Sequence, residues 1–537
     1  MNRYLIILIT LFTVNAYAQV TTVDSLEADY LNWYNKSPEL DKVCGTAVDR
    51  AYETILKDKE PHKVIIVAVI DGGIDVRHED LKGQVWININ EIPDNGIDDD
   101  KNGYIDDING WNFIGNSKGE HLNIENLEVT RIYRDYKAKF DLKTANDITK
   151  EDKADFEMYT AAKAEYEEYV VKYGGIIDRY TNSILEVKKA NKALKAFLQQ
   201  DSISMDDIKG IESEDSLINS YKRLLSSGTN LAYLEGAIDY YKVFTEGYLN
   251  LELNARSNVI GDNLSDMKDA FYGNGDVKGP NADHGSMVSG IIGAVRNNGM
   301  GVNGIATGVK IMALRSIPYG DEYDKDVALS IRYAVDNGAS IINMSFGKAY
   351  SPMESEVYAA IKYAESKGVL MIAASGNEGQ DVDVITHYPT PYSEKGNHVS
   401  TWLTVGANSK DFEEKMTATF SNYGTEKVHI FAPGVKVISI SPDDSYDMMN
   451  GTSFSCPVVT GVAALVWSYY PELSASELRE ILMESAVMYK NIKVNLPGSF
   501  EEDKVPSVKF GKLSESGGVV NAYYALQMAE KKRVEGK

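Results

Sequence analysis

"VIIVAVI", residues 64–70, is an unbroken apolar, mostly β-branched run that stops at Asp71-Gly72-Gly73. A strand with one wet face alternates apolar and polar side chains. A run that is apolar at every position belongs in a sheet covered on both faces, the usual setting of parallel strands. Similar short runs recur at 310–314, 340–344, 369–374, 403–405 and 428–431, with helix-patterned segments such as 327–337 and 354–367 between several of them. This alternation predicts an α/β fold built on a doubly wound, mostly parallel sheet. Ligands of such sheets bind beyond the carboxyl ends of the strands. Asp71 and Asn377 each follow a predicted strand, so both are expected along one crevice.

Between about 117 and 262 the strand signal gives way to helix signal. Tyr159, Tyr166, Tyr173, Tyr180, Val187 and Leu194 recur every seven residues, and Ala162, Tyr169, Ile176, Ala190 and Phe197 fill most of the complementary seam. Heptad spacing predicts a long helix packed on a partner, with a kink or break at Gly174-Gly175. A tyrosine stripe at this spacing reads as core rather than as a ligand surface.

The chain has 537 residues, 43% apolar and 25% charged, as soluble globular proteins do. Its net charge is −24 with no Lys/Arg-rich run. Such a surface repels phosphate backbones and anionic membranes, so no nucleic-acid partner is expected. Arg3, the apolar stretch 4–14 and Ala16-Tyr17-Ala18 ahead of Gln19 form the pattern of a cleaved export signal, residues 1–18. The apolar stretch is too short to span a bilayer, and no cysteine follows the cleavage point, so no stable membrane anchor is expected. The predicted location is periplasmic or extracellular. Cys44 and Cys456, the only cysteines, are expected to be free buried thiols rather than a disulfide framework.

Four short stretches carry chemistry-bearing residues: "VAVIDGGID" at 67–75, "DHGSMVSG" at 283–290, "AASGNEG" at 373–379 and "GTSFSCP" at 451–457. Each has a bland reading alone. Ser453 ahead of an apolar helix-like run serves equally as a helix cap or as a nucleophile at a positive helix N-terminus. Together they supply an acid, a histidine and a serine in the order Asp…His…Ser, plus a side-chain amide after a separate strand.

That order and these stretches closely resemble the subtilisin-like serine peptidases. The resemblance covers about 62–116 and 270–530, with supporting matches "NMSFG" (343–347), "TVGA" (404–407), "FSNYG" (420–424), "APGV" (432–435) and "GGVVNAYYAL" (517–526). It implies Asp71, His284 and Ser453 as a catalytic triad and Asn377 as an oxyanion donor, hence an exported endopeptidase acting through an acyl-enzyme. The substrate backbone would pair near Ser345, Phe346 and Gly347. Ala374, Ser375 and Gly376 would wall a pocket with room for a large uncharged side chain. Gly451 is expected to allow a close backbone approach, and Pro457 to occupy an early helical position.

The chain departs from the family at His284-Gly285-Ser286-Met287-Val288-Ser289-Gly290 and at Phe454, where methionine is commoner. Only residues 19–70 separate the signal from Asp71, which is short for a folded inhibitory propeptide. The expected organisation is a signal peptide 1–18, an N-terminal segment 19–61, the peptidase domain in two parts (62–116 and 263–530), a helical insertion 117–262 and a tail 531–537. The insertion is expected beside the substrate groove as a wall, lid or docking surface.

"DDDKNGYIDDIN", 98–109, alternates Asp98, Asp100 and Asn102 ahead of Gly103, with the Tyr104 carbonyl and Asp106 following. This approaches the oxygen-rich spacing of a calcium loop, although Asn109 stands where an EF-hand has glutamate. Structural calcium is expected there, and no organic cofactor. Polypeptides are the expected substrates. A catalytically silent peptide-binding protein on the same fold is the competing class. An esterase is disfavoured because Ser453 lacks the G-x-S-x-G elbow.

Overall fold

The structure, a computed structural model, describes residues 22–227, 230–393, 396, 398–499 and 505–535. The predicted signal 1–18 lies outside the described residues. The chain forms two compact units: Met1–Asn123 together with Ala255–Lys537, and Ile124–Asn254.

The first unit is built on a nine-stranded sheet. Its strands are β1 (Ile65–Asp71), β2 (Gly110–Asn112), β3 (Val309–Arg315), β4 (Ile341–Met344), β5 (Leu370–Ala374), β6 (Trp402–Asn408) and β7 (Ile430–Pro433). A hairpin of β8 (Val437–Ser441) and β9 (Ser445–Met449) follows, then β10 (Val487–Met488), a second hairpin of β11 (Lys493–Asn495) and β12 (Ser507–Lys509), and β13 (Gly518–Val519). The sheet order is β10-β13-β7-β6-β5-β4-β1-β3-β2. All neighbours are parallel except β10 and β13.

β1 lies between β3 and β4, and its pleat divides the core. Ile65, Val67 and Val69 face one cluster together with the helices Asp283–Gly293 and Thr452–Tyr469. Ala68 and Ile70 face the other, with the helices Asp324–Asp336 and Glu354–Ser366. Both faces are therefore covered, which is why β1 is apolar at every position before Asp71. Among the described residues no helix is long and apolar enough to cross a membrane.

The N-terminal segment is woven into this unit. Trp33 and Tyr34 are fully buried. The Trp33 indole donates to the Lys436 carbonyl (3.2 Å) and the Tyr34 hydroxyl to the Asn303 carbonyl (3.0 Å). Backbone bonds tie Cys44 to Lys410 and Thr46 to Ala522. Cys44 and Cys456 are free and buried.

The second unit is helical. Its longest helix, Lys153–Leu198, runs 46 residues straight through Gly174-Gly175, so the expected break is absent. A side chain at either glycine would meet nothing within 4 Å, so neither marks a close contact. Tyr159, Tyr169, Tyr173, Val187, Ala190 and Leu194 are buried, as a packed seam requires. Tyr173 stacks on Phe244 (4.1 Å between centroids) and Tyr166 on Tyr133 (4.7 Å). Phe197 leaves the seam and is 43% exposed. Residues 255–262, assigned from sequence to the insertion, belong to the first unit. Arg256 there binds Asp262 (2.8 Å) and Asp326 (2.6 Å), with all three side chains buried.

Truncating Trp33 empties a site with no solvent access. Trp33→Ala is expected to destabilise the protein by about 3–5 kcal/mol, read from urea unfolding.

Candidate active site

Asp71 is the last residue of β1, 3% exposed, in register with Arg315 of β3. His284 is the second residue of the Asp283–Gly293 helix. What brings them together is glycine. A Cβ on Gly285 would lie 2.2 Å from the Gly73 carbonyl oxygen and 3.0 Å from the Asp71 Cβ, so only a residue without one lets the helix settle on the strand end. Gly73 itself has φ of 144°, and a side chain there would meet the Lys278 carbonyl oxygen at 2.1 Å. With the helix seated, His284 Nδ1 lies 2.9 Å from both carboxylate oxygens of Asp71. A proton on Nδ1 leaves Nε2 as the basic nitrogen. Burial alone would lower the imidazole pKa. The Asp71 charge and hydrogen bond, with a further contribution from Asp283, outweigh burial and raise it.

Ser453 is the second residue of the Thr452–Tyr469 helix and half-buried, while its helix neighbours are closed off from solvent. Pro457 is the sixth residue of that helix, not an early one. Its missing N–H deprives the carbonyl four residues back, that of Ser453, of a helical partner. Ser345, just past β4, supplies one: its Oγ donates to the Ser453 carbonyl (2.8 Å), while Ser453 Oγ donates to the Ser345 carbonyl (3.0 Å). Asn343 steadies the same joint, donating to Ser345 Oγ (2.9 Å) and accepting from Thr460 (2.9 Å). The close approach expected at Gly451 falls instead at Gly434, where a Cβ would lie 2.8 Å from the Gly451 carbonyl oxygen. The Phe454 ring packs 5.4 Å from the His284 ring.

Asn377 follows β5. Its Oδ1 accepts from the Thr452 backbone N–H (2.8 Å) and hydroxyl (3.0 Å). With the carbonyl side held, the amide nitrogen is turned to the other side, where it has no hydrogen-bond partner among the described residues. Asn377 is thus bonded to the residue directly before Ser453.

Ser345 (2% exposed), Ala374 (5%) and Ser375 (1%) are buried. Two residues missed from sequence stand against these segments. A Cβ on Gly347 would meet His387 Nε2 at 2.2 Å, and one on Gly376 would meet Glu378 Oε2 at 2.6 Å and His387 Cε1 at 3.0 Å. The expected uncharged surroundings therefore contain a carboxylate and an imidazole. Glu378 was visible beside Asn377. His387 reaches Gly347 because Tyr388 and Lys348 exchange backbone hydrogen bonds (2.9 and 3.0 Å), which no local pattern announces.

In the acidic loop, Asp100 of the three predicted carboxylate ligands joins a cluster, and Asn102 donates to two of its members. The Asp100 carboxylate and those of Glu91 and Asp107 bring ligand atoms within 4.8 Å of one another. Asp98 accepts from the Asn102 and Gly103 N–H groups, Asp106 from those of Asn95 and Gly96, and Glu91 likewise from those of Asp100 and Asp106. Asn102 Oδ1 accepts from Tyr104 N, and the Tyr104 ring is buried among Trp111, Phe113 and Tyr333.

Gly285→Ala is expected to force the histidine helix off the strand end. Overpacking of this kind costs about 1–3 kcal/mol. Imidazole titration by NMR should then show the His284 pKa falling from its raised position as the Asp71 contact lengthens.

The chain is similar to known proteins. A model of the subtilase family matches residues 62–518. Subtilisin-like protease 2 of Plasmodium falciparum (isolate 3D7) is 36% identical over 235 residues, which are 41% of this chain and 16% of that protein. Subtilisin DY of Bacillus licheniformis is 35% identical over 205 residues, 38% of this chain and 70% of that one. A solved structure described as "Structure of Prenylagaramide maturation protease PagA" is 27% identical, covers 46% of this chain and 82% of its own, and has a TM-score of 0.37. With the family model matching most of its length, the chain belongs to the subtilase family.

Proposed function

We propose that the protein is a serine endopeptidase in which Ser453 is the nucleophile, His284 the general base and Asp71 its orienting carboxylate. The observation that carries this reading is the His284 Nδ1 contact with both Asp71 oxygens at 2.9 Å, which leaves Nε2 to accept a proton. A serine hydroxyl is a weak nucleophile until a neighbouring base takes its proton. The Ser453 hydroxyl rests on the Ser345 carbonyl (3.0 Å), so it must turn toward Nε2 as substrate arrives. Catalytic hydrogen bonds commonly tighten only in the substrate complex. Attack on a peptide carbonyl gives a tetrahedral oxyanion, met by the Ser453 N–H and the Asn377 amide nitrogen. His284 then hands its proton to the leaving amine, and water hydrolyses the acyl-enzyme with the same histidine as base.

Substrates are polypeptides, bound as an added strand along 345–347 and 374–376. The protein acts beyond the cytoplasmic membrane, a reading supported by the export pattern of residues 1–18. Structural calcium would be held in the acidic loop, a reading supported by the ligand atoms that Glu91, Asp100 and Asp107 bring within 4.8 Å of one another. When bound, the ion neutralises their charge and takes no part in the reaction.

Ser453→Ala is expected to abolish both peptide hydrolysis and fluorophosphonate labelling. Wild-type protein that folds but does not label would leave the silent peptide-binding alternative standing. Asn377→Ala should lower kcat by about 10²–10³-fold with little change in KM, a magnitude established for the same donor in a subtilisin. Calcium at a hundredfold excess over its Kd should stabilise the folded form by about 2.7 kcal/mol. Identical melting curves with calcium and with chelator, in wild type and Asp100→Ala alike, would remove the ion.

A further inference from the structure

Asp283, the residue before the candidate general base, has no part in the mechanism above. It is the first residue of its helix but does not cap it: the N-cap is Ala282, without a side-chain hydrogen bond. Burial raises the pKa of its carboxyl, and the polar groups of its own backbone and of Tyr319 oppose that rise. Yet Oδ2 is shut off from solvent with no partner among the described residues. A carboxylate oxygen left bare in a closed site is costly unless a nearby positive charge repays the lost hydration. Two positive influences bear on it: the N-terminus of the helix it begins, and the neighbouring His284 when protonated.

His284 sits in an adverse place for an imidazolium. The second position of an 11-residue helix lies at the positive end of the helix dipole, among N–H groups that have no helical acceptor. Burial acts in the same direction. We propose that Asp283 is a second anionic partner of the catalytic imidazole, offsetting the helix N-terminus so that His284 can hold a proton during turnover; it acts through His284 and is a positioning residue. The proposal rests on the triad assignment of His284.

The charged groups that act on His284 are Asp71, from the end of β1, and Asp283, on its own helix; the Thr452–Tyr469 helix presents the uncharged Phe454 ring. The interaction is reciprocal. Burial raises the Asp283 pKa, and Asp71 adds to that rise while the His284 charge opposes it.

The sign of the expected effect follows. His284 must be neutral to accept the Ser453 proton, so kcat/KM falls as pH drops through its raised pKa. Removing the Asp283 charge withdraws one of the influences raising that pKa. The acid limb then moves to lower pH.

The test is NMR titration of histidine-labelled protein carrying Ser453→Ala, which prevents self-cleavage, with the His284 signal assigned by its loss in His284→Gln. Adding Asp283→Asn should lower the His284 pKa by about half a unit or more, as expected for loss of a neighbouring charge in a low-dielectric site. Asp283→Ser, a second neutral residue suited to a helix start, should do the same should the Asn variant fail to fold. Asp283→Glu should restore the parent titration. With Ser453 intact, the acid limb of kcat/KM should shift by the same amount. An unmoved His284 titration in a folded neutral variant overturns the proposal. This readout needs no turnover, so failure of the peptidase assignment would appear separately, as absent fluorophosphonate labelling with the titration shift intact.

Discussion

Everything at the candidate site depends on how closely one helix can lie on one strand end. The Asp283–Gly293 helix reaches β1 only because Gly285 presents no side chain to the Gly73 carbonyl and Gly73 none to the Lys278 carbonyl ahead of the helix. That contact sets the height of His284 above the sheet, and the height makes both Asp71 oxygens equidistant from Nδ1. A carboxylate gripping one nitrogen through both oxygens fixes the ring plane as well as the tautomer. The same seating brings the imidazole onto the positive end of its own helix. The fold thus solves a geometric problem by creating an electrostatic one, and the carboxylates nearby answer it.

The serine arm is fixed by a different device. Proline inside a helix removes an N–H and orphans a carbonyl. Here the orphan belongs to Ser453, and Ser345 satisfies it while accepting the Ser453 hydroxyl in return. Two hydrogen bonds running in opposite directions lock the helix start to the end of β4. Asn377 locks the other side through Thr452. Three segments that follow three different strands therefore meet within a few residues of Ser453. Each is anchored by backbone groups and not by flexible side chains alone.

The parts of this arrangement legible in sequence were those with a local signature. β1 showed itself because burial on both faces demands apolar residues at every position. By contrast β2, β10 and β13, two or three residues long, are too short to display any period. The long helix was legible from its heptads, and its continuity through two glycines was not. Each glycine costs only about 1 kcal/mol, which packing along the rest of the seam offsets. Phe197 was misplaced because a 3.5-residue repeat drifts off a 3.6-residue helix with length. In the acidic loop, spacing identified oxygen-rich residues but not their targets. Asp98 and Asp106 turn onto backbone N–H groups, and Glu91 enters the cluster from outside the motif. His387 escaped because the Lys348–Tyr388 backbone pairing, which brings it to Gly347, joins segments far apart in sequence.

The N-terminal segment bears on how such an enzyme is held in check. An inhibitory propeptide must be able to leave, so its contacts are with surfaces that remain folded without it. Residues 22–61 are built otherwise. Trp33 and Tyr34 are fully buried and belong to the same apolar cluster as β1 and the serine helix. Arg296 reaches back to Asp49 (2.5 Å), and Tyr524 of the last helix binds Glu39 (2.8 Å). The segment therefore joins the loop after the histidine helix, the Lys436 turn ahead of β8 and the C-terminal helix to one another. Withdrawing it would open the core beneath the very helices that carry His284 and Ser453. Residues 22–61 are thus packed as part of the core of this unit.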